Sequence, residues 1–143
     1  MHVEVKARFD RVLLIEGGAF IIYAMVALIY TKELLDLHGV HLDETGVFTA
    51  QMAGAVFFAF SAMNLMARQI RDYKALHLIA DVNLIKHIVC LIVAIGNYMT
   101  GALQELGGVS FILLFALFSI IFGYFHFSNM DYVNSLRSQT DPE

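Results

Sequence analysis

The chain has 143 residues, 59% of them hydrophobic and 15% charged, with one proline, no tryptophan and a formal charge of -4. A soluble domain of this length is closer to about half apolar and about a quarter charged, so the excess, gathered in long uninterrupted runs, points to helices covered by lipid. The length supports one domain, the basic residues are too few and too dispersed for a nucleic-acid face, and the lone Cys90 excludes an intrachain disulfide or a thiolate zinc cage.

Residues 1–11 are polar and basic, with Lys6, Arg8 and Arg11, as at the start of a signal peptide. The run that follows, VLLIEGGAFIIYAMVALIY, is longer than a signal h-region, carries Glu16 and ends without a small-residue cleavage site. Residues 12–30 therefore read as a retained first transmembrane helix. Residues 31–45, TKELLDLHGVHLDET, set Glu33, Asp36, Asp43 and Glu44 against Lys32, with Gly39 as the expected helix stop.

The second span is 46–66, about 21 residues and long enough for a hydrocarbon core of about 30 Å. Its Ala50/Gly54 and Ala55/Ala59 pairs, four apart, allow close backbone approach and predict a central place in the bundle. A basic turn follows, ARQIRDYKALHLIADVN. Two registers fit the third span: one begins near His77 and buries Lys86 and His87 deeply, the other covers 84–103. The second is preferred, because it leaves QELGG as a tight link and lets Lys86 snorkel toward the basic end. The fourth span is 109–127, aromatic and almost free of polar atoms before His126. The polar tail beyond it is expected to fray after a turn or two.

The polar residues of the spans are the candidate site. Glu16, Asn64, Arg68, Asp81, Asn83, His87 and His126 project to about one height near the basic end, and ionisable groups in a bilayer are functional candidates by default. Asn64 and Arg68, four apart, share a helix face, and Arg68 is expected to pair with Glu16 or Asp81. Such a network is either a hydrogen-bonded clasp that locks the bundle or a pocket for a head group, ion or small ligand.

His87 and His126, on consecutive antiparallel helices, also suggest ligation of a haem or contact with a quinone, although in the deeper register the rings lie too far apart for one iron. No cofactor and no metal is the expectation, with haem as the alternative. His38 and His41, beside Asp36, Asp43 and Glu44, have loop spacing that is weak evidence for zinc. Asn83, His87, Cys90, Ala94 and Asn97 form one stripe of the third helix, which either faces the core or lines a channel in an oligomer. No nucleophile–base pair or glycine-rich phosphate loop is present, which argues against an enzyme.

The segment Asn64-Leu65-Met66-Ala67-Arg68, the basic turn, and the stretches Leu113-Leu114-Phe115-Ala116 and Phe122-Gly123-Tyr124-Phe125 resemble a loose group of small bacterial four-helix membrane proteins. The group is of the uncharacterised, domain-of-unknown-function type and distantly DoxX-like. The likeness covers about 46–127, and Leu65 stands where the group more often has tryptophan. The resemblance implies a four-helix fold in a bacterial inner membrane and carries over no catalytic residue.

The sequence thus predicts an all-α, integral membrane four-helix bundle of up-down topology. The expected role is that of a non-enzymatic accessory or small-ligand-binding component acting through helix contacts; a redox subunit and an oligomeric channel are the alternatives. Its partners are the lipid bilayer and either further copies of the chain or another membrane protein, with no nucleic acid. Lys6, Arg8, Arg11, Arg68, Arg71, Lys74, Lys86 and Arg137 fall on one side and Lys32 alone on the other, which predicts that both termini are cytoplasmic. Reporter fusions check this: a cytoplasm-dependent fluorophore should be active at either terminus, and a periplasm-dependent phosphatase should be active when inserted after Val40.

Overall fold

A computed structural model of the protein describes residues 3–37, 40–101 and 105–140, with side chains described for 6–37, 40–72, 74–101 and 108–128. It contains five helices: α1 (Val3–Ile29), α2 (Thr31–Leu37), α3 (Glu44–Ala67), α4 (Tyr73–Met99) and α5 (Glu105–Thr140), with no strand among the described residues. Four of them hold stretches long and apolar enough to cross a membrane: Lys6–Ile29, Glu44–Ala67, Lys74–Met99 and Gly108–Ser128. The protein is an all-α, multi-pass membrane four-helix bundle in which α2 is a short cap between α1 and α3.

Local chemistry sets the helix ends. Asp43 caps α3, accepting from the Gly46 N–H at 2.7 Å, and Asp72 caps α4, accepting from the Lys74 N–H at 2.9 Å. Past Thr100 the chain turns through Gly101 at φ 72°, a left-handed conformation that glycine adopts without a Cβ clash. The cap at Asp72 places the start of α4 well before Leu84, so neither expected register describes the whole helix, which ends at Met99. Leu103 and Gln104 lie outside the described residues, as do Gly39 and His38. The other elements also run longer than hydropathy alone marks: α1 takes in Lys6, Arg8 and Arg11, α5 takes in residues 105–108 of the expected link, and the tail stays helical to Thr140.

Backbones approach closely within two antiparallel pairs, α1 with α3 and α4 with α5, and scarcely at all between the pairs. The α1–α3 seam is built on small residues. A Cβ at Gly17 would stand 3.0 Å from the Ser61 carbonyl oxygen and the Leu65 side chain, while Gly54 faces Ala27 and Leu28. The two hairpins meet instead through large side chains. Phe9 packs edge-on against Phe122 and Phe125, with ring centroids 6.2 and 4.9 Å away, and Phe20 lies 5.7 Å from Phe118 and 6.4 Å from Phe115.

The small-residue helix is peripheral, not central. Only 11% of the spanning stretch of α3 is buried, against 22 to 28% for the other three, because a single narrow face (Gly54, Ser61, Asn64, Ala67) meets protein. Ala55 and Ala59 look outward. The outer faces carry Ile15, Ile22, Phe48, Ile85, Ile92 and Ile120, all more than 60% exposed, a surface that suits lipid.

The glycine pair of α1 offers a test of the seam. Gly17→Ala should cost about 1–3 kcal/mol by overpacking, whereas Gly18→Ala, with nothing within 4 Å of the new methyl, should be neutral or gain up to about 1 kcal/mol in helix propensity. Thermal melts of the two variants in one detergent would separate the effects.

Candidate functional site

The centre of the molecule is a polar cluster drawn from three helices. Glu16 lies at the middle of α1 and is 1% exposed. A carboxylate enclosed among apolar helices needs donors and a counter-charge, and it finds three donors nearby. Its Oε1 accepts from Lys86 Nζ at 2.5 Å and from His87 Nε2 at 2.8 Å, and its Oε2 accepts from the Asn64 amide.

The two asparagines are paired in turn. Asn83 Nδ2 donates to Asn64 Oδ1 at 2.8 Å and to the Ile79 carbonyl at 3.0 Å, while Asn64 Nδ2 reaches Asn83 Oδ1 at 3.1 Å. Lys86 Nζ closes the ring by donating to Asn83 Oδ1 at 2.8 Å. The ammonium also lies 5.7 Å from the Phe20 ring centroid and 5.6 Å from that of Phe60, so aromatic faces cover the side that no oxygen covers.

His87 belongs to both the polar and the apolar layers. Its ring stacks on Phe118 and Phe122, at 5.1 and 5.5 Å between centroids, while its Nε2 points at Glu16. Facing an ionised carboxylate, Nε2 is the donor, while Nδ1 is buried with no hydrogen-bond partner, which favours the neutral ring. One carboxylate, one ammonium and one neutral imidazole sum to zero charge, the condition under which ionised groups are tolerated inside a membrane protein.

A second cluster lies nearer the end that holds the termini. His126 Nδ1 donates to Asp81 Oδ1 at 2.6 Å, His77 Nε2 is 3.6 Å from Asp81 Oδ2, and the two imidazoles stack 5.2 Å apart with ring planes 19° from parallel. These side chains are 21 to 29% exposed. A third tie sits at the same end: Lys6 pairs with Asp10 at 2.5 Å and donates to the Arg68 carbonyl at 3.2 Å, bridging α1 to the C-terminus of α3.

Of the residues picked from sequence, Glu16, Asn64, Asn83 and His87 stand together in one cluster, and Asp81 and His126 stand together in another. Arg68 joins neither. It is the C-cap of α3, one turn beyond Asn64, with an exposed side chain, and Lys86 takes the place beside Glu16 that Arg68 was expected to fill. Lys86 therefore turns sideways into the bundle, not back toward the basic end.

His87 and His126 lie at different heights. His126 is level with His77, which precedes His87 by about ten residues, or about 15 Å of helix. The stripe of α4 is buried at Asn83, His87 and Ala94 and faces the bundle core, opening outward only at Asn97, whose amide turns back onto the Val93 carbonyl at 2.8 Å. At the opposite end of the molecule a shallow recess of about 170 Å³ lies between α2 and the start of α3, bordered by Lys32, Leu35, Asp36, Val40 and His41. There His41 meets Asp36 at 2.7 Å in the open.

Lys86 and His77 are the residues that sequence reasoning left out of the site. Lys86 carried a usable signal, since Glu16 needs a cation and Lys86 is three residues from Asn83 in the middle of an apolar run. His77, four before Asp81, carried the other. No protein-family model, no curated protein and no solved structure matches the chain.

Removing one partner of the buried pair strands the other. Glu16→Ala should therefore destabilise the protein by about 3–5 kcal/mol, and Glu16→Ala combined with Lys86→Met should cost less than the sum of the two changes. Arg68→Ala should stay within about 0.5 kcal/mol, no more than Lys74→Ala. Melting temperatures in detergent check the set; an Arg68 effect as large as that of Glu16 would place the counter-charge elsewhere.

Proposed function

We propose that the chain is a small non-enzymatic protein of the bacterial inner membrane, with both termini in the cytoplasm, serving as an accessory component through contacts of its helices with other membrane-embedded chains. One observation carries this reading: the central polar groups of the spanning helices are turned onto one another, whereas the outward faces are mostly apolar. Glu16, Asn64, Asn83, Lys86 and His87 hydrogen-bond to one another across three helices, an arrangement suited to holding a shape.

What the protein then offers its surroundings is a rigid apolar surface. The outward small residues Ala55 and Ala59 of α3 supply a place where another helix can come close. Supporting the orientation is the gathering of Lys6, Arg8, Arg11, Arg68, Arg71 and Lys74 around the end where α1 starts and α3 meets α4.

Native mass spectrometry of the protein released from mild detergent tests the role. The expected particle is heavier than the 16.0 kDa chain, either as copies of itself or with a companion chain. A strictly 16.0 kDa particle across detergents would overturn the reading.

A further inference from the structure

We infer that His77, Asp81 and His126 form a binding site for one divalent transition-metal ion of the zinc class. Their ligand atoms (an imidazole nitrogen from each histidine and a carboxylate oxygen) all lie within 4.8 Å of one another. Tetrahedral zinc with bonds of about 2.0–2.1 Å sets its ligands a little over 3 Å apart, so the three atoms need to draw only slightly closer to share one ion.

The way the residues are delivered suits such a site. His77 and Asp81 are four apart and leave α4 on one face, the same spacing that two ligands use in helical zinc motifs. His126 comes from α5, the helix whose backbone is packed most closely on α4, so the third ligand is held by a rigid pair and not by a loop. Two nitrogens and one carboxylate leave a position open on the ion, the ligand count of exchangeable sites.

The arrangement without an ion is uncomfortable in a way that an ion relieves. Two imidazoles are stacked face to face beside a single carboxylate. Asp81 can answer His126 at 2.6 Å but reaches His77 only at 3.6 Å, so one histidine is drawn in without a hydrogen bond of its own. An ion bound to His77 Nε2, His126 Nδ1 and Asp81 would join all three. For that, the hydrogen that His126 now gives to Asp81 from Nδ1 must leave that nitrogen, either by moving to Nε2 through exchange with water or by release on binding. With side chains 21 to 29% exposed, the site is reachable from outside the bundle.

The inference is independent of the accessory role, which particle mass reads. Its own test is a cobalt titration of the full-length protein in mild detergent after removal of metal with a chelator and dialysis. The expected result is one Co²⁺ per chain with visible ligand-field absorption, displaced by Zn²⁺, and weakened at least about tenfold by His126→Gln or Asp81→Asn. His41→Gln, at the far end of the molecule, should leave the binding unchanged. Circular dichroism on each variant shows that the helices persist. Where one variant fails to fold, the other carries the test, and His77→Gln stands behind both. Absence of stoichiometric cobalt binding, binding indifferent to Asp81→Asn, or binding lost with His41→Gln would each overturn the assignment.

Discussion

The constraint on which the structure turns is a carboxylate in the middle of a membrane helix. Glu16 cannot be left to lipid, and water does not reach it at 1% exposure, so the chain must bring donors to it from other helices. Lys86, His87 and Asn64 supply them, and Asn83 holds Asn64 and Lys86 in place. Each of these bonds exists only at one height and one rotation of its helix. A hydrophobic surface can slide along another with little penalty in lipid, where the tails are as apolar as leucine. A ring of hydrogen bonds around a charge cannot. The cluster therefore fixes how α1 and α3 sit against α4, a use of buried polar groups better attested than any gain in raw stability.

The rest of the packing divides along the same line. Within each hairpin the helices touch through small residues and side-chain interdigitation, with Gly17 against the Ser61 carbonyl as the tightest point described. Between hairpins the space is wide enough to require phenylalanine, and Phe9, Phe20, Phe115, Phe118, Phe122 and Phe125 fill it around the polar ring. His87 is the hinge of the two materials, since one flat ring serves the stack with Phe118 and Phe122 while its edge serves Glu16. An alanine there would open the phenyl layer as well as remove a donor. Lys86 joins both materials in its own way, its stem crossing the apolar layer and its head lying near two ring faces.

Long apolar runs made the four spanning helices legible, and polar residues inside those runs made Glu16, Asn64, Asn83 and His87 legible. Three things were hidden, each for a physical reason. The start of α4 was hidden because His77 and Asp81 lower the hydropathy of its first turns; only the Asp72 cap marks the true beginning, and an aspartate before a lysine reads equally well as an ordinary loop residue. The choice between Arg68 and Lys86 was hidden because a shared helix face does not say whether a side chain at the helix end is enclosed, and Arg68, at the C-cap of α3, is exposed. Small residues at four-residue spacing pointed to a central helix, but spacing tells how closely a neighbour can come and not how many neighbours there are; α3 has its tight contact with α1 alone.

Height was the coordinate that sequence supplied, and angle was the one that mattered. Asp81 and Asn83 are two residues apart on α4, so their heights differ by about 3 Å while their directions differ by about 200°. That rotation sends Asn83 to α3, where it meets Asn64, and leaves Asp81 to α5, where it meets His126. A list of polar residues sorted by depth merges the two and predicts one network of Glu16, Asn64, Arg68 and Asp81. The helix itself separates them into an enclosed, charge-neutral joint between hairpins and a half-open trio at the rim of one hairpin. In the joint the carboxylate is answered by an ammonium, an imidazole and an amide. The trio has two imidazoles and one carboxylate, and that carboxylate hydrogen-bonds one of them and only approaches the other.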